Sequence, residues 1–180
     1  MKTSHELIIA GFGGQGALSM GQILSYAATI EGKDVSWMPS YGPEMRGGTA
    51  NCTVIISDEE IGSPLVRRPT AAIVLNPPSF DRYEPLMQKG GVLLSNASLI
   101  AATSKRSDIR ALPIKANEIA AELGAAQMAN VVLVGALVAV TGVVQLETLD
   151  AVLEEHVSAR HRDKLELNKQ ALRRGAAIAQ

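Results

Sequence analysis

The chain has 180 residues, 47% of them hydrophobic and 19% charged, and a formal net charge of −1. That length suits one compact domain spanning 1–180, and the near-neutral charge with 3% aromatic residues excludes the basic, base-stacking surface that a nucleic-acid partner needs. Cys52 is the only cysteine, which excludes an internal disulfide and any iron–sulfur or zinc site built from several thiolates of this chain.

Met1 to Glu6 lacks the charged, apolar and small-residue zones of a secretory signal, so a cytoplasmic address is expected. Glu6 to Ala10 reads as a strand, Gly16 to Ile30 as an amphipathic helix, and Val35 to Met38 as a second strand stopped by Pro39. Cys52 to Ser57 and Ala71 to Leu75 read as further strands, with an irregular passage around Gly62-Ser63-Pro64 between them. Pro77-Pro78 precedes a helix from Ser79 to Met87, and Gly90-Gly91 introduces a strand from Val92 to Ser95. Arg110 to Ile114 is a strand candidate, followed by a helix around Glu118 to Leu123 and a polar helical tail from Leu146 to Ala179. Between Leu123 and Leu146 no residue is charged, a length that approaches a bilayer span. Gln127 and Asn130 at one end, Thr141-Gly142 at the other, and the lack of aromatic or basic anchors argue for a buried helix and no membrane span. The alternation predicts an α/β fold: a mostly parallel sheet with helices on both faces, Rossmann-like, with C-terminal helices.

Two loops carry the chemistry. Gly11-Phe12-Gly13-Gly14-Gln15-Gly16 joins the first strand to the first helix, where glycines let backbone approach an anion and the helix N-terminus offers unpaired N–H groups. Dinucleotide binding would require an acid at the end of the second strand, but that strand ends in Trp37-Met38-Pro39-Ser40. A tight turn without a ligand is the plain alternative, and Gln15 favours function as a polar side chain placed where an anion or a partner's backbone would lie. The second loop, Ser40-Tyr41-Gly42-Pro43-Glu44-Met45-Arg46-Gly47-Gly48-Thr49, sets an aromatic and a fixed charge beside further glycines.

These paired loops, with Gly21-Gln22-Ile23-Leu24, Asn51-Cys52, Ile61-Gly62-Ser63-Pro64, Asn130 and the apolar helix, and Asn168 to Gly175, resemble the gamma subunit of 2-oxoacid:ferredoxin oxidoreductases over nearly the whole chain. The resemblance implies a subunit, inactive alone, of a cytoplasmic hetero-oligomer that decarboxylates a 2-oxoacid with thiamine diphosphate. Electrons pass through iron–sulfur clusters to ferredoxin, and coenzyme A is acylated. No Gly-Asp-Gly stretch begins a thiamine diphosphate and magnesium motif here, so those cofactors and the clusters are expected on companion alpha, beta and delta subunits. Gly11, Gly13, Gly14, Gln15, Gly16, Tyr41, Arg46, Gly47 and Gly48 become the candidate ligand or interface residues, with no catalytic residue and no metal ligand. The Pro43 to Thr49 form resembles the 2-oxoglutarate type first and the 2-oxoisovalerate type second. Rival readings are a free-standing nucleotide-binding protein and an assembly module without a ligand.

Each candidate also has a structural reading. Arg46 pairs with a phosphate, or with Glu44, or with a neighbouring subunit. Tyr41 reads as a packed interface aromatic and Cys52 as a small buried apolar residue. His156, His161, Glu154-Glu155 and Arg173-Arg174 read as solvated helical faces.

Overall fold

The computed structural model describes residues 3–42, 48–156 and 164–179. Among these residues a six-stranded sheet runs in the order β2-β3-β1-β4-β5-β6. Its strands are β1 (Ser4–Phe12), β2 (Asp34–Tyr41), β3 (Thr49–Ser57), β4 (Ala71–Val74), β5 (Val92–Asn96) and β6 (Arg110–Ile114). The helices are α1 (Ala17–Ile30), α2 (Pro77–Tyr83), α3 (Ala116–Glu122), α4 (Ala129–Thr141), α5 (Leu146–His156) and α6 (Leu165–Ala179).

Strands β1, β4, β5 and β6 are mutually parallel, whereas β3 runs antiparallel to both β1 and β2. The expectation of a mostly parallel sheet therefore holds for one side of β1, and a hairpin forms the other. Only seven residues separate Tyr41 from Thr49, too few for a helical crossover, and a connection that short joins antiparallel strands. Strand β2 continues through Pro39 to Tyr41, beyond its expected stop, because it is the edge strand and a proline's missing N–H is tolerated on a free edge.

Alternation of side chains divides the core. Leu7 and Ile9 of β1 face a large cluster with α1 and α3 to α6, whereas Ile8 and Ala10 face a smaller one with Phe80 and Tyr83 of α2, Met87 and Ile100. Helices occupy both faces unequally, five on one and the short α2 on the other. The expected helix from Ser79 to Met87 is α2 followed by a 3₁₀ turn at Glu84–Leu86, since Pro85 removes an intrahelical donor. Asn76 caps α2 by accepting from the Ser79 N–H at 2.9 Å.

Helix α4 is the uncharged stretch. Its residues Val131 to Val138 are all buried, against β4, β5, α1, α3 and α6. Thirteen residues span roughly 20 Å, too short for a bilayer core, and among the described residues no helix is long and apolar enough to cross a membrane. The polar tail forms α5 and α6, with His161 outside the described residues. Its charges tie helices together: Lys169 pairs with Glu154, Arg173 with Asp150, and Arg174 with Glu122 of α3. His156 is likewise more than a solvated face, because its ring stacks on Tyr26 of α1 with centroids 4.2 Å apart.

Candidate functional site

Strand direction brings the two loops together. Strands β1 and β2 both run antiparallel to β3, so their carboxyl ends lie at the same edge of the sheet, with the carboxyl ends of β4 and β5 beside them. The crevice outside the carboxyl ends of parallel strands is where α/β folds take ligands. The Gly13 N–H donates to the Gly48 carbonyl at 3.0 Å, which joins the glycine loop to the second loop. Arg46 and Gly47 lie outside the described residues, as do Pro43, Glu44 and Met45.

The four loop glycines have different reasons to be glycine. A Cβ on Gly11 would stand 2.6 Å from Gln15 Oε1 and 3.0 Å from the Leu75 side chain. Gly16 adopts φ +79° as the N-cap of α1, and a Cβ there would overlap the Asn130 carboxamide. Gly14 has φ +94°, and a Cβ there would meet nothing within 4 Å; one on Gly13 would meet only the Gly48 carbonyl, at 3.9 Å. Gly11 and Gly16 thus serve the fold, while Gly13 and Gly14 present bare backbone to open space.

Gln15 lines a cavity beside the loop, and its carboxamide is also held by the sheet edge. The carboxamide turns back onto the sheet: Oε1 accepts from the Phe12 N–H at 2.7 Å and from Asn76 Nδ2 at 3.2 Å, and Nε2 donates to the Leu75 carbonyl at 3.3 Å.

Two cavities flank the loop. One, of about 220 Å³, is lined by Phe12, Gly13, Gly14, Leu18, Ser19 and Tyr41. The other, of about 210 Å³, lies between Gly14, Gln15, Asn96, Asn117, Gln127 and Asn130. No described residue lining either is charged. The second is a wall of carboxamides, in which Asn96 Nδ2 donates to Asn117 Oδ1 at 2.7 Å. Asn96 and Asn117 were not singled out from the sequence, although a polar residue ending the apolar run of β5 is a signal for the strand's ligand end. Tyr41 is 72% exposed, not packed within this chain.

Cys52 lies in β3 as expected, fully buried, with its thiol pushed up to about 11 by burial and donating to the Ala17 carbonyl at 3.4 Å. Gly21 of α1 is required above it, since a Cβ would overlap the sulfur. A single protonated, enclosed thiol does not fit iron–sulfur ligation. Among the described residues no cluster of three His, Cys, Asp or Glu could hold a metal ion.

A mixed sheet whose carboxyl edge carries two glycine loops, beside two cavities whose described lining residues are uncharged, defines the α/β class of this domain. Residues 6–178 match the pyruvate ferredoxin/flavodoxin oxidoreductase family, and the chain belongs to that family. It is 44% identical over 146 residues to ketoisovalerate oxidoreductase subunit VorA of Methanothermobacter marburgensis, covering 80% of this chain and 30% of that protein. Over 182 residues it is 32% identical to 2-oxoglutarate synthase subunit KorC of Methanocaldococcus jannaschii, covering 99% of this chain and 96% of that one. The crystal structure of the keto/oxoacid ferredoxin oxidoreductase gamma subunit from Geobacter sulfurreducens has the same fold, with TM-score 0.86, 31% identity, and coverage of 98% and 97% of the two chains. The chain spans about a third of the length of the VorA relatives, whereas it matches KorC nearly end to end.

Proposed function

We propose that this chain is the gamma subunit of an enzyme that oxidatively decarboxylates a 2-oxoacid to an acyl-CoA and CO2 with reduction of ferredoxin, and that its two-loop rim meets coenzyme A. The carrying observation is the hydrogen bond from Gly13 to Gly48, which makes the two loops one rim beside two open cavities. Thiamine diphosphate, magnesium and the iron–sulfur clusters supply decarboxylation and electron transfer from companion alpha, beta and delta subunits. This chain's part is to bind and orient. Bare backbone at Gly13 and Gly14, and the start of α1, which has no side-chain cap, support an anionic or strongly polar group in the first cavity. The carboxamide wall supports an uncharged hydrogen-bonding part of the ligand in the second. Arg46, on the same loop as Gly48, supplies the fixed charge for a phosphate. Domain 1–180 acts as one unit in the cytoplasm.

For the 2-oxoacid, 2-oxoglutarate is favoured by the end-to-end match to KorC. The 44% identity to VorA supports 2-oxoisovalerate as the second reading. Affinity purification of the chain from native extract tests the proposal. The expected result is a coloured complex that reduces viologen only when both 2-oxoacid and coenzyme A are added. A colourless homo-oligomer that binds nucleotide by itself, or a complex without that activity, would overturn it.

A further inference from the structure

We infer that Gln15 is the positioning residue of the glycine loop: it holds Gly13 and Gly14 where they meet coenzyme A, and it does so through a carboxamide that both donates and accepts. This rests on the reading above that the loop meets coenzyme A.

A Cβ on Gly14 would meet nothing within 4 Å and one on Gly13 only the Gly48 carbonyl, so no side chain presses on this face of the loop. Backbone bonds hold it at two points, from the Gln15 N–H to the Phe12 carbonyl at 3.1 Å and from the Gly13 N–H to the Gly48 carbonyl at 3.0 Å. The third hold is the Gln15 side chain. Lying over Gly11, which is glycine to admit it, the carboxamide joins the Phe12 N–H at the end of β1 to the Leu75 carbonyl after β4. It also meets Asn76, which is 2% exposed and whose oxygen caps α2. One side chain therefore registers the loop against two strands and the first turn of a helix. The chemistry is specific: Oε1 accepts twice while Nε2 donates. Asparagine is one methylene too short to span the same three partners. Ionised glutamate has no donor for the Leu75 carbonyl and would set an oxygen against it, whereas a protonated carboxyl donates there again.

The test uses the assembled complex carrying Gln15→Met, Gln15→Glu or Gly13→Ala, with KM for coenzyme A, KM for the 2-oxoacid and kcat measured from about pH 5.5 to about pH 8.5. Gln15→Met is expected to raise the coenzyme A KM about tenfold while the 2-oxoacid KM stays within about twofold. Gln15→Glu is expected to match Gln15→Met at the alkaline end and to recover toward the unmodified enzyme at the acid end, where its carboxyl is protonated. If Gly13→Ala raises the coenzyme A KM and neither Gln15 variant does, the positioning role is overturned and the binding role of the loop survives. If none of the three moves it, the binding role itself fails and this inference with it. A parallel change in both KM values and in the melting temperature would show Gln15 to be a structural tie only, which also overturns the proposal.

Discussion

Gly135 of α4 and Gly175 of α6 cross backbone to backbone: a Cβ on Gly135 would overlap the Leu172 carbonyl, and one on Gly175 would overlap the Val132 carbonyl. The relationship is reciprocal, so each glycine makes room for the turn of the opposite helix that precedes the other glycine. This close crossing lets α6 lay Ala171, Leu172 and Ala179 into the large core despite its polar outer face.

Replacing either glycine by alanine forces the two helices apart. Gly135→Ala and Gly175→Ala are each expected to lower stability by about 3 kcal/mol or more, since the obstacle is backbone rather than a movable side chain. The double variant is expected to cost less than the sum, because the first methyl has already opened the space the second needs. Denaturant unfolding of the four chains measures this directly. Additive losses, or a loss under about 1 kcal/mol for either single variant, would contradict the crossing.

The glycine loop separates fold from ligand within six residues. Gly16→Ala is expected to destabilise the chain by about 2 kcal/mol or more, through positive φ and overlap with Asn130. Gly13 has no positive φ and open surroundings, so Gly13→Ala is expected to melt within a few degrees of the unmodified chain. In the assembled enzyme the same substitution is expected to raise the coenzyme A KM roughly tenfold. Thermal melts beside steady-state kinetics check both halves. Unchanged kinetics for Gly13→Ala would return the loop to a plain turn.

What the sequence made legible follows from range. The strand–turn–helix around the glycine loop, the placement of β1 and the burial of Cys52 follow from local pattern, and all were readable there. The signal for the antiparallel hairpin was also present, because Tyr41 and Thr49 are too close in sequence for a helical crossover. The weight given to alternation obscured it. The inward partners of Gln15, Leu75 and Asn76, were not legible because they lie about sixty residues away. The same limit explains His156, whose partner Tyr26 sits on the first helix. Asn96 and Asn117 become a site only when β5 and α3 meet, and neither neighbourhood contains a motif.

His5 gives a pH signature. Burial first, then the positive charge of Lys33, lowers its pKa below the ordinary 6.5, and Asp58 opposes the shift. Below pH 6.5 the unfolded chain therefore takes up a proton that the folded chain resists, so stability falls as the pH falls through that value toward the folded pKa. Above 6.5 both states are neutral and the contribution is fully present. His5→Asn is expected to flatten this part of the curve of melting temperature against pH between about 7.5 and 5. Identical slopes for the two chains would show that His5 is protonated as easily folded as unfolded.

Substrate choice tests the assignment at its finest level. The described residues lining the two cavities beside Gly14 carry no charge, while Arg82 lines only a small pocket next to Gly11, and discrimination is expected to come mainly from the companion subunits. The complex assembled with its native partners is expected to prefer 2-oxoglutarate over 2-oxoisovalerate, and both over pyruvate and indolepyruvate, in coenzyme A-dependent viologen reduction at equal concentration. Exchanging this chain for a gamma subunit from a complex with a different preference is expected to alter the coenzyme A KM while leaving the order of 2-oxoacids unchanged. If the order follows the exchanged chain, selectivity resides in this subunit, and the segment 43–47 between its two β-strands is the place to seek it.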